Sequence, residues 1–64
     1  MKVRFWVTLE SDDGGKKVEV FTVRGETVNN LAVLAENKID ALEDRLHAVC
    51  VKIRTEGVKD EEAA

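Results

Sequence analysis

The sequence predicts a single α+β domain of the ββαβ type: a three-stranded antiparallel sheet, order 2-1-3, with one helix packed on one face (a split β-α-β unit). Three observations carry this expectation. Lys2–Glu10 alternates apolar and polar residues. Asp13-Gly14 follows as a hairpin-turn dipeptide. Thr27–Leu46 then places Val28, Leu31, Ala35, Ile39, Leu42 and Leu46 at spacings of three and four, which puts them on one stripe of a helix. A lone helix cannot bury its own stripe, so the flanking strands must supply the surface that does.

In the first strand Val3, Phe5, Val7 and Leu9 point one way. Lys2, Arg4, Trp6, Thr8 and Glu10 point the other. A two-residue type I′ turn at Asp13-Gly14 sets Asp12 opposite Gly15 and predicts the pairs Leu9–Val18, Val7–Val20 and Phe5–Thr22 on the core face. The other face then pairs Trp6 with Phe21, Arg4 with Val23 and Glu10 with Lys17. The returning strand is Lys17–Arg24.

Gly25-Glu26-Thr27 breaks the strand and starts the helix, with Thr27 as N-cap. A hairpin followed by a capped helix is shared with ubiquitin-like domains, but no further hairpin follows here, and no family is assigned. Ala48–Arg54 alternates again, with Val49, Val51 and Ile53 on the core face and Ala48, Cys50, Lys52 and Arg54 on the other. Thr55-Glu56-Gly57 ends that strand, so the domain is 1–57. Val58–Ala64 reads as a short, acidic, mobile tail. A helix of about 18 residues and a strand of about eight both span roughly 26 Å. The helix can therefore cross the sheet once and return the chain for the third strand, with a right-handed crossover expected.

Composition narrows the function classes. A chain of 64 residues is near the lower limit for an unstapled domain. That motivates the expectation of a partner which adds to the core. Cys50 is the only cysteine and His47 the only histidine, which excludes an internal disulfide and a Cys/His metal cluster. The first strand alternates where a signal sequence would be continuously apolar, and no run approaches a membrane span. The expectation is a soluble, cytoplasmic protein without cofactor or membrane partner. A net charge of −3 argues against a basic nucleic-acid binder in bulk, yet leaves individual faces open.

With the helix on one face, the other lies bare. It is expected to display Trp6 at its centre, Phe21 and Val23 to one side and Cys50 to the other, with Arg4, Lys52 and Arg54 near one end. An exposed aromatic patch marks an interface. The first reading is a non-enzymatic protein–protein module, a homodimer or a complex with another protein, that buries Trp6 and Phe21. The second is single-stranded nucleic acid stacked on the same aromatics, its phosphates neutralised by Arg4, Lys52 and Arg54. This arrangement resembles that of an RRM sheet, without its RNP motif. A third is mutual shielding of the two rings. Glu36, Asp40, Glu43 and Asp44 read as a solvated acidic helix face, interrupted by Val33. His47 reads as a cation at the helix C-terminus, and Cys50 as a small apolar filler. Asp12-Asp13 reads as turn chemistry and Gly14-Gly15 as the turn itself. None of these forms an acid–base or nucleophile pair.

Overall fold

The computed structural model describes residues 1–59. Strand β1 runs Lys2–Ser11, β2 Lys16–Arg24 and β3 Ala48–Gly57, with helix α1 at Val28–Leu46. The sheet order is β2-β1-β3, antiparallel throughout. The fold class and strand order are those the alternation and helical spacing predict. β3 is longer than expected, because the ladder continues through Thr55 and Glu56, and the Val58 amide still donates to the Lys2 carbonyl at 2.9 Å. The rest of the expected tail, 60–64, lies outside the described residues.

The hairpin register differs from expectation by one residue. The loop has three residues, Asp12-Asp13-Gly14, closed by Gly14 N–H to the Ser11 carbonyl and Ser11 N–H to the Gly15 carbonyl, both at 2.9 Å. A type I′ turn requires positive φ at Asp13 as well as Gly14, but only Gly14 has it, at 87°. The Asp13 carboxylate makes the difference. It accepts from the Ser11 hydroxyl and, at 2.9 Å, from the Gly15 amide. These bonds suit a type I turn followed by a left-handed glycine, the usual three-residue hairpin. Val7 therefore opposes Glu19, Phe5 opposes Phe21, and Val3 opposes Val23.

A one-residue slip turns every side chain of a strand to the other face. Phe21 and Val23, expected on the bare face, lie under the helix. Phe21 stacks on Phe5 with ring centroids 5.3 Å apart, and Lys38 of α1 reaches over its ring at 5.9 Å. Val23 is buried with Val7, Leu9, Leu31 and Ala35. β2 had two candidate apolar sets, and the one holding the phenylalanine is inside. That choice also points Glu19 and Lys17 to the helix side. There Arg45, in the last turn of α1, meets Glu19 at 3.6 Å and Lys17 meets it at 3.7 Å.

β3 carries a second irregularity. Thr8 opposes Lys52 but Leu9 opposes Cys50, so Val51 is the extra residue of a β-bulge. Ile53 stays on the helix side, as expected. Before the bulge the faces exchange: Cys50 and Ala48 join Leu9 and Ser11 on the helix side, and Val49 faces out opposite Glu10. The Cys50 amide is held at 2.8 Å by the Glu43 carboxylate, so Glu43 belongs to this junction and not to a solvated acidic face.

The helix begins as predicted. Thr27 Oγ1 accepts from Asn30 N–H at 3.2 Å and donates to Asn30 Oδ1 at 2.6 Å, a reciprocal N-cap. Gly25 lies against this first turn, where a Cβ would meet Asn30 Cβ at 3.0 Å. The helix ends at His47, a left-handed residue with φ 51° whose amide donates to the Glu43 carbonyl. One residue thus links α1 to β3. On the predicted stripe Leu31 and Ala35 are buried and Ile39, Leu42 and Leu46 half-buried, while Val28 in the first turn is exposed.

Candidate binding face

The face away from the helix is built by the alternate residues of the three strands. Across it run the rows Arg4–Thr22–Glu56, Trp6–Val20–Arg54 and Thr8–Val18–Lys52. Of the predicted site residues, Trp6, Arg4, Lys52 and Arg54 meet here. Phe21, Val23 and Cys50 do not, because the hairpin loop and the bulge turn them to the helix. The structure replaces them with Val18, Val20 and Val49, exposed by 55, 55 and 62 %. Val18 and Val20 are turned out by the Asp13 carboxylate, whose bonds to Ser11 and Gly15 fix a three-residue loop where Asp13-Gly14 alone suggests two. Nothing in the local alternation marks the bulge that exposes Val49.

Trp6 sits at the centre of β1, the central strand. The Arg54 guanidinium lies 4.6 Å from its ring centroid and that of Arg4 5.9 Å away. The half-buried indole is thus flanked by two cations, an arrangement favoured by the negative ring face.

The charge of the molecule is divided between its sides. Lys2, Arg4, Lys16, Arg24, Lys52 and Arg54, six of the ten Lys and Arg residues, project from this face. Among the described residues two carboxylates accompany them: Glu56 opposite Arg4 and Glu10 opposite Lys16. Lys52 opposes Thr8 and Arg54 opposes Trp6, so neither meets a carboxylate directly across the ladder. Glu36, Asp40 and Asp44 lie exposed on the helix, with Val33 exposed beside them. A chain of net charge −3 therefore presents one cationic side. No protein-family model, no curated protein and no solved structure matches the chain.

The remaining features have local roles. A groove of about 460 Å³ between α1 and the sheet is lined by Phe5, Ala32, Ala35, Glu36, Ile39, Cys50 and Ile53. The Cys50 thiol points to the Lys52 carbonyl at 3.7 Å. The Ser11 hydroxyl and the Gly15 amide hold the Asp13 carboxyl below the ordinary carboxylate range. Among the described residues no group of three or more His, Cys, Asp or Glu converges on a metal position. No helix there is long and apolar enough to cross a membrane.

Proposed function

We propose that this chain is a small non-enzymatic binding module that docks an acidic macromolecule on the bare face of its sheet. The observation that carries the reading is the concentration of cations around an indole and three exposed valines, on a protein whose other side is acidic. Apolar area supplies the driving force for docking, and the cations select the sign of the partner and speed the encounter.

The same observation weighs against a symmetric dimer formed by stacking two such faces, since each copy's Lys52 and Arg54 would approach a cationic surface. Pairing of sheet edges is opposed as well. β2 turns the charged Lys17 and Glu19 inward and β3 carries a bulge and Lys52, devices that blunt an edge against strand addition. The partner favoured here is therefore a different, anionic molecule.

Retention on immobilised heparin at pH 7 and low ionic strength tests this. The expected result is salt-eluted retention despite the net negative charge. Arg4→Ser with Arg54→Ser should abolish it, and Lys17→Ser with Lys38→Ser, on the helix side, should leave it in place. Flow-through of the unaltered protein, or equal loss in both double variants, would overturn the proposal.

A further inference from the structure

Resting on that reading, we infer that the anionic partner is a single-stranded nucleic acid, one of whose bases stacks on Trp6 while Arg54, Lys52 and Arg4 take the neighbouring phosphates. Three features of the face select this ligand. First, the one aromatic ring lies on the central strand and already carries a planar group, the Arg54 guanidinium 4.6 Å from its centroid. A base can replace that group, and the released guanidinium can then bind phosphate with both of its parallel N–H donors. Second, the cations follow the strands. Lys52 and Arg54 are successive same-face residues of β3, and Lys2 and Arg4 of β1, in each case about 7 Å apart. That step is comparable to the spacing of phosphates along an extended single strand. Third, an indole can stack only on bases that are unpaired, which a closed duplex does not offer.

The neutral residues fit the same ligand. Thr8 follows Trp6 on the same face of β1 and Thr22 lies diagonal to it on β2, and both offer hydroxyls to sugar or base edges. Val18 and Val20 form an apolar ledge beside the indole for a second base to rest on. Five same-face rows along β1, Lys2 to Glu10, give a track of about 27 Å, which suits a site on the order of four nucleotides. An acidic peptide would satisfy the cations but has no planar group to exchange for the Arg54 guanidinium. In the experiment a polyanion without bases stands in for this competing occupant.

Trp6 is the only tryptophan, so its fluorescence reports the site directly. The whole chain is titrated with short oligothymidylate and oligouridylate, with a duplex of the same length, and with inorganic polyphosphate as a polyanion without bases. Both single strands should quench Trp6, and the duplex and polyphosphate should bind more weakly with little quenching. The logarithm of the binding constant should fall with the logarithm of salt with a slope of about −2 to −3, as for three or four phosphates. With labelled oligonucleotides, Trp6→Ala should weaken binding about 5- to 100-fold, and Trp6→Phe should restore most of it. Circular dichroism of both variants shows that the fold persists. If polyphosphate binds as well as the oligonucleotides and Trp6→Ala changes nothing, the nucleic-acid assignment falls while docking of an acidic partner stands. If no polyanion binds and heparin does not retain the protein, both readings fall.

Discussion

The β1–β2 loop and the β3 bulge each insert one residue beyond the simplest pairing, and they act on different lengths of chain. The loop residue comes before β2, so the whole of Lys16–Arg24 exchanges faces. The bulge residue, Val51, lies inside β3, so only Ala48–Cys50 exchange, and Ile53 and everything after it keep the expected side. The two are also held by different means. The loop is fixed locally, by the Asp13 side chain bonding to residues two away on either side. The bulge is fixed from outside the strand, by Glu43 of the helix taking the Cys50 amide. The loop therefore decides what the bare face is made of in β2, and the bulge reconciles β3 with a helix that ends one residue before it.

The comparison is broken most directly at β2. Phe21→Ala should cost about 2–4 kcal/mol, since the ring stacks on Phe5 under the helix. In a domain of this size, with total stability of roughly 3–10 kcal/mol, that approaches complete unfolding. Val20→Ala, on the exposed face, should cost less than about 1 kcal/mol. Urea denaturation of the two variants decides the register. The reverse order of effects would return Val18 and Val20 to the core and remove the apolar ledge from the proposed site.

This asymmetry also explains what could be read from the sequence. Order, class, N-cap and the position of Trp6 follow from patterns that extend over many residues: alternation in β1, helical spacing in α1, matched lengths. One missing or extra residue cannot hide in them. β2 offers no such redundancy, because Val18 and Val20 form as good an alternating set as Phe21 and Val23. The decision passed to one side chain, Asp13, whose hydrogen bonds fix a loop of three rather than two. For β3 the deciding group is Glu43, seven residues before Cys50 and in another element. Alternation within a strand carries no trace of a partner that lies outside it. The site was thus legible where it depends on β1 and the far half of β3, and hidden where it depends on the two irregularities.

The bulge is sharpened by Glu43→Ala. The Cys50 amide loses a charged acceptor in a half-buried position, at an expected cost of about 1–2 kcal/mol. Asp44→Ala, one residue on and exposed, should change stability by no more than about 0.5 kcal/mol. Amide exchange should accelerate at Cys50 in the first variant and not in the second. Equal behaviour would mean that the ladder and not the helix holds the bulge. The linker between these elements makes a smaller, opposite prediction. His47 adopts φ 51°, a conformation natural to glycine, so His47→Gly should stabilise the fold by about 0.5–1 kcal/mol. A lower urea midpoint would show that the imidazole makes a contact that outweighs the backbone strain.

The smallest effect belongs to the loop, and its sign is fixed by the Asp13 carboxyl. That group is fully exposed. The Ser11 hydroxyl, and after it the Gly15 amide, favour its ionised form and lower its pKa in the folded chain. The folded state therefore binds this proton less readily than the unfolded state. The resulting stabilisation is complete above the ordinary carboxylate range and is lost as pH falls through the lowered value. Asp13→Asn removes the titration and keeps the side chain's shape. The unaltered protein should lead the variant in urea midpoint at neutral pH, and that lead should close in acid. In the unaltered protein the Gly15 amide resonance should titrate with a midpoint below that of an unperturbed aspartate. A midpoint at or above that value would mean that the carboxylate does not hold the loop, and the three-residue geometry that exposes Val18 and Val20 would need another cause.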